Sequence, residues 1–130
     1  MRATIFLLLL SLLRPPAEVC AQPSAQTAES AWTALKSGDA DNAARLFRQA
    51  LSARPADPLL LLGAGIAAHQ LGDDRYAEGA LRKALKIRPQ LTPASAVLGR
   101  IVYDAGDVDQ AIAIYERALK GVEDEPEMRE

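Results

Sequence analysis

Apolar and polar positions follow one another along this chain with the period of a helix. Apolar residues return at steps of three and four, and short segments rich in glycine, aspartate or proline interrupt them. This spacing is typical of amphipathic helices. It predicts one helix over about residues 58–71 and another over about residues 75–87, separated by a turn at Gly72. The chain is therefore predicted to be all-α and built from pairs of helices.

The same pattern recurs every 34 residues. The dipeptide Gly-Asp stands at residues 38–39, 72–73 and 106–107, where glycine can end one helix and aspartate can cap the next. Further columns keep the step: Ala43, Ala77 and Ala111; Phe47, Leu81 and Tyr115; Ala50, Ala84 and Ala118; Leu51, Leu85 and Leu119; Pro55 and Pro89. A repeat of this length predicts a solenoid of three antiparallel helical hairpins, with units at about 24–57, 58–91 and 92–125.

The second halves of these units resemble the tetratricopeptide repeat, which carries an alanine, an aromatic, a second alanine and a proline in this order. The first halves match less evenly: the second unit offers Leu61, Ala64 and Gly65, the third Ser95, Leu98 and Gly99, and the first only Thr27, Ser30 and Ala31. The first unit therefore looks like an edge unit, which needs one buried neighbour only. The resemblance implies a right-handed α-solenoid over residues 22–125 that binds other proteins.

The resemblance also implies which residues line a binding groove, because in this family the first helix of each unit faces the concave side. The candidates are mostly apolar or aromatic: Trp32 and Lys36, then Leu59, Leu62, Ile66 and His69, then Ala96, Arg100 and Tyr103. Trp32 has a second interpretation as packing between units, which stays open at this point. Apolar side chains on a concave face suit an amphipathic helix or a hydrophobic peptide segment.

One recognition mode of the family is not expected here. Some members clamp the C-terminal carboxylate of a peptide with lysine, asparagine and arginine side chains. The corresponding positions carry none of these residue types: Ala28, Trp32, Gly63, Pro93 and Val97. We therefore do not expect this chain to bind peptide tails through such a clamp.

Residues 1–21 have the composition of a signal peptide. Arg2 is followed by the apolar run 5–13, which is too short to span a bilayer but has the length of a signal-peptide core. Cleavage is predicted after Ala21, so that we expect an exported protein, periplasmic or secreted, without membrane insertion of the mature chain. Lipid attachment at Cys20, the only cysteine, is the alternative, and the acidic Glu18 fits it poorly.

Charge and chemistry narrow the function further. The formal net charge of −2 and the acidic tail at residues 126–130 argue against a nucleic-acid binder. His69 is the only histidine, and no spacing typical of a metal site or catalytic group is present, so we expect no cofactor, no metal and no enzymatic activity. The leading hypothesis is an adaptor that binds another envelope protein. The alternative is a self-associating subunit that pairs through Ile112, Leu119 and Val122.

Overall fold

The structure is a computed structural model that describes residues 23–123, and this part of the chain forms six α-helices. Their limits are Pro23–Lys36 for α1, Ala40–Ala53 for α2, Pro58–Gln70 for α3, Asp74–Ile87 for α4, Thr92–Asp104 for α5 and Val108–Glu123 for α6. The helices pair as α1 with α2, α3 with α4 and α5 with α6, one pair to each 34-residue unit. The predicted solenoid of three helical hairpins is confirmed, and α3 and α4 each differ from prediction by one residue at one end.

The turn inside each hairpin has the conformation that its Gly-Asp pair predicts. Gly72 has a φ of 81°, in the left-handed region that glycine adopts without a Cβ clash. The N–H of Asp73 donates to the carbonyl of Ala68 at 2.9 Å, which satisfies a carbonyl at the end of α3. The side chain of Asp73 then accepts from the N–H of Tyr76 at 3.2 Å and caps α4. Both other turns repeat these bonds.

The stacking of the hairpins makes the molecule curved. First helices touch one another, α1 with α3 and α3 with α5, whereas the Cα atoms of α2 and α4, and those of α4 and α6, stay more than 8 Å apart. Long side chains bridge the wider side instead. The Arg48 guanidinium lies 5.2 Å from the ring centre of Tyr76, and 34 residues later Arg82 donates to Gln110. The first helices therefore line the inner, concave face.

The interior consists of two clusters of buried side chains, one between each pair of neighbouring units. Phe47 and Leu81 occupy the same repeat position and are both completely buried. A Cβ on Gly63 would overlap the ring of Phe47, and one on Gly65 would lie 2.8 Å from Cγ of Leu81. Gly63 thus allows α2 of the preceding hairpin to pack closely against α3, and Gly65 allows α4 of the same hairpin to do so.

Two sequence predictions concern parts of the chain outside the described residues. They are the signal peptide at residues 1–21, including Cys20, and the acidic tail at residues 126–130. Among helices of the described part, the search for a segment both long and apolar enough to cross a bilayer finds none.

Candidate functional site on the concave face

The concave face is built from side chains that repeat every 34 residues along α1, α3 and α5. Its central column is Trp32, Ile66 and Arg100, and the neighbouring column is Leu35, His69 and Tyr103. Because the three helices begin at equivalent repeat positions and lie side by side, residues of one column lie next to one another across the face. Five of the predicted groove residues therefore lie on one face of the stack, although they differ in accessibility: Trp32, Ile66, His69, Arg100 and Tyr103.

Trp32 mainly packs between the first two units. Its ring meets that of Phe47 edge to face, with 5.0 Å between centroids and 83° between planes. It also contacts both buried clusters, so that the indole is half-buried and only part of it faces the groove. Edge-to-face pairs of this kind contribute about 0.5–1.5 kcal/mol beyond the burial of area. The packing interpretation left open by the sequence is thus realised in the structure.

The accessible apolar surface of the groove comes from α3 and α5. Leu59 is 46% exposed and Tyr103 is 57% exposed, which is high for large hydrophobic side chains. Between them Ile66 is half-buried against the core. Leu62, by contrast, is only 5% exposed and belongs to the buried cluster between the second and third units. We therefore correct the prediction for Leu62, which supports the groove from below and offers a ligand almost no surface.

The polar candidates lie among the apolar side chains of the two columns and at the end of α1. Nδ1 of His69 lies 2.6 Å from the Asp74 carboxylate. Since an ionised carboxylate can only accept, the histidine is the donor, and the bond links the end of α3 to the start of α4. Arg100 bonds Asp104 through Nε at 3.3 Å, with both side chains mostly exposed. Lys36 is exposed at the end of α1. A largely apolar face that also carries a few donors can therefore accept a largely apolar ligand with some acidic or polar groups.

The structure explains why a carboxylate clamp cannot form here. Gly63 is one of the positions that the resemblance assigns to the clamp, and the Phe47 ring fills the space that any side chain there would need. Pro93 is exposed and Val97 is half-buried and apolar, so neither can donate to a carboxylate. The expectation drawn from residue types thus has a steric basis as well.

A second surface feature, on the convex side, was missed by the sequence reasoning. A cleft of about 460 Å³ opens between the second and third units, with Leu85, Pro89 and Ile114 among its lining residues. Its counterpart between the first two units is smaller, at about 380 Å³. One difference is that Ser95 lines the larger cleft where Leu61 lines the other. A small residue in a column that favours a large one is the signal that could have revealed it.

Groups suited to acid–base or metal chemistry do not assemble on this face. Within residues 23–123 no three histidine, cysteine, aspartate or glutamate side chains come together in a way that could hold a metal ion. The His69–Asp74 pair is partly exposed. The features that the described residues give this face are its concave shape and its exposed apolar side chains.

A curved stack of helical hairpins with a continuous inner face defines the class of α-solenoid repeat proteins. Two family models, both described as tetratricopeptide repeat, match residues 29–92 and 75–130 and so together cover most of the chain. The chain belongs to the tetratricopeptide repeat family. No curated protein sequence matches it significantly.

Several solved structures have the same fold. The Sgt2 TPR domain from Aspergillus fumigatus gives a TM-score of 0.73 at 24% identity, over 80% of this chain and 69% of that one. The first TPR domain of Spaghetti (RPAP3), bound to the HSP90 peptide SRMEEVD, gives 0.73 at 22% identity, over 82% and 85%. SycD, a type III secretion translocator chaperone of Yersinia enterocolitica, gives 0.76 at 16% identity, over 87% and 86%. At these identities the similarity establishes the fold.

Proposed function

We propose that this protein is a non-catalytic adaptor that binds a partner protein or helical peptide in the groove of α1, α3 and α5. The observation that carries the proposal is the pair Leu59 and Tyr103, whose large side chains stay about half exposed on the concave face. Folding alone gives no reason to leave them in water, because burying apolar area stabilises a protein by about 25 cal/mol per Å². A ligand that covers both would gain this free energy.

The chemistry of the groove favours a ligand with apolar side chains at helical spacing. The Spaghetti domain shows that this fold can hold a short peptide ending in acidic residues. Our chain lacks the residues of the carboxylate clamp and instead presents a largely apolar face that also carries Arg100 and Lys36. An amphipathic helix with anchors three or four residues apart fits such a face best.

Photo-crosslinking in the native cell tests the groove and finds the partner. A photoreactive residue at Tyr103 lies in the exposed part of the groove, and one at Lys83, also exposed, is a control on α4. We expect one other protein to be captured at Tyr103 and not at Lys83. The same adducts at both positions, or none at Tyr103, would argue against the groove as the binding surface.

We further propose that the protein acts outside the cytoplasm, in the cell envelope, and that its partner is an envelope protein. The support is the apolar run at residues 5–13 with small residues before the predicted cleavage site at Ala21. N-terminal sequencing of the protein isolated from its own cell tests this: a chain that begins at Gln22 is expected. A chain that keeps Met1, or that carries a lipid on Cys20, would contradict secretion as a free protein.

Self-association is the second candidate function. It is favoured by the outer side of α6, where Ile112 is 49% exposed and Leu119 is 63% exposed. Two copies that meet there would cover these side chains without any other protein. Analytical ultracentrifugation of the purified protein separates the candidates, because an adaptor is expected to sediment as a monomer at all concentrations. A dimer that Leu119→Asp dissociates would establish self-association instead.

A further inference from the structure

The outer face of α6 carries an exposed apolar seam, formed by Val108, Ile112, Tyr115 and Leu119. These side chains are 46%, 49%, 39% and 63% exposed in this order. Their spacing of four, three and four residues places them in one stripe along the helix. Apolar side chains this large and this continuous on the end of a solenoid mark a surface that another element covers.

The seam is more apolar than the packing of the repeat requires. Tyr115 repeats the position of Phe47 and Leu81, which the next hairpin buries completely, so its exposure reflects the end of the described stack. Val108 and Ile112 differ from both equivalent pairs, because the second unit has the charged residues Asp74 and Glu78 at their positions and the first has the small residues Ala40 and Ala44, of which Ala44 is buried. The third unit therefore carries larger apolar side chains at these two positions than either of the other units.

The spacing of the seam indicates that the covering element is a helix. A stripe with alternating steps of four and three is the pattern by which two helices pack side by side, knobs into holes. The whole of α6 is 16 residues long, which corresponds to about 24 Å of helix and to roughly two heptads of contact. A strand or an irregular loop would not follow such a stripe, since its side chains do not return at this period.

The charges beside the seam argue against a second copy of α6. Asp109 and Glu116 lie seven residues apart along one border, and both are exposed. In an antiparallel pair of identical helices these acids would face their own counterparts, and in a parallel pair they would face the other border, where Ala111 is buried and Ala118 is half-buried. Neither arrangement places a cation from α6 opposite the acids, and the first one sets like charges together.

A head-to-tail stack of copies would cover the seam no better than a second copy of α6. It would bring the outer face of α1 onto the seam, in the place where α3 covers α2 within the molecule. There α3 presents Leu60, Gly63, Ala64 and Ala67, all buried, whereas α1 has the exposed polar residues Gln26, Glu29, Ser30 and Thr33. These side chains would lose water without an apolar contact in exchange.

We propose that the end seam of α6 binds an amphipathic helix of a partner protein whose own apolar seam is flanked by lysine or arginine. The apolar contact supplies the affinity, and opposite charges beside Asp109 and Glu116 select the partner and its direction. This surface faces away from the concave groove, so the protein has two binding surfaces and can join two partners.

Two synthetic helical peptides of about 21 residues, three heptads, test the proposal by fluorescence anisotropy with the full-length protein. Both have leucine at the seam positions, and they differ only in lysine or glutamate at the flanking positions. We expect the lysine peptide to bind about fivefold more tightly or better, because two repulsive contacts replace two attractive ones in the glutamate peptide. Equal affinities, or no binding of either peptide, would overturn the proposal.

Two variants tie the result to the seam. The double substitution Asp109→Lys with Glu116→Lys is expected to reverse the preference between the peptides, and an unchanged preference would overturn the proposal. Leu119→Asp is expected to abolish binding of both while the helical circular dichroism stays the same, since Leu119 is exposed. A wild-type dimer that Leu119→Asp dissociates and that neither peptide competes with would assign the seam to a second copy.

Discussion

At the scale of single residues, close approach between hairpins depends on glycine within a helix. Gly63 lies in the middle of α3, where the ring of Phe47 occupies the space of a Cβ. We predict that Gly63→Ala lowers the free energy of unfolding by about 2 kcal/mol, because overpacking outweighs the gain of about 1 kcal/mol in helix propensity. Urea unfolding followed by circular dichroism measures this.

Gly79 provides the matched control for Gly63. It also lies inside a helix, but a Cβ added there meets no atom within 4 Å. Gly79→Ala is therefore expected to raise the free energy of unfolding by about 0.5–1 kcal/mol. If both substitutions stabilised the protein, the close packing of Phe47 on α3 would not exist in solution.

At the scale of elements, the fit between α5 and the second unit is looser than the fit between α3 and the first. Ser95 is 4% exposed, and its hydroxyl makes no hydrogen bond to any residue in the described part of the chain. Because it lines a cleft of about 460 Å³, leucine has room at this position. We predict that Ser95→Leu raises the free energy of unfolding by about 1–2 kcal/mol through added apolar burial.

Leu61, the equivalent residue of the second unit, gives the reverse experiment. It is 5% exposed and contributes to the buried cluster. Leu61→Ser is expected to cost about 3 kcal/mol, because it removes apolar burial and leaves a cavity. Thermal unfolding of both variants tests whether the cleft has room for a leucine side chain. A destabilised Ser95→Leu protein would mean that the cleft closes in solution.

The same element scale shows how far the sequence alone could predict the structure. The turns and helices followed from Gly72, Asp73 and the 34-residue period, since local backbone chemistry determines them. The groove was predicted less well because α3 is apolar on every side, as the run 59–62 shows. When all faces are apolar, periodicity cannot separate a core residue such as Leu62 from a surface residue such as Leu59.

Position in the stack was the other property that a repeat pattern could not reveal. Phe47 and Tyr115 belong to one column, yet one is completely buried and the other is 39% exposed. The difference arises because burial in a solenoid is supplied by the next unit and not by the residue itself. The residue column predicts side-chain size, whereas the neighbour determines exposure.

At the scale of the whole molecule, the two outer faces of the described stack are unlike each other. The outer face of α1 is polar, and Thr33 there donates its hydroxyl to the Glu29 carbonyl at 2.9 Å. The outer face of α6 is apolar. These two faces are not complementary, and a heterologous contact between copies needs complementary faces.

The groove and the end seam share the third unit, and their independence can be measured. Tyr103→Ala removes a 57% exposed side chain from the groove. It is expected to lower the affinity for the partner captured in the groove about tenfold or more, because aromatic side chains often contribute much of the binding energy of an interface. Binding of the lysine peptide to the seam should stay unchanged. Ile112→Ser should weaken binding of the lysine peptide to the seam and leave binding of the groove partner unchanged.

Stability distinguishes this outcome from a general loss of structure. Both Tyr103 and Ile112 are about half exposed, so neither variant should lower the free energy of unfolding by more than about 1 kcal/mol. If each substitution weakened both ligands equally at unchanged stability, the two would compete for one surface. If the two effects are separate, the changes in binding free energy are expected to add in the double variant, because the two side chains lie on different helices and face different ligands.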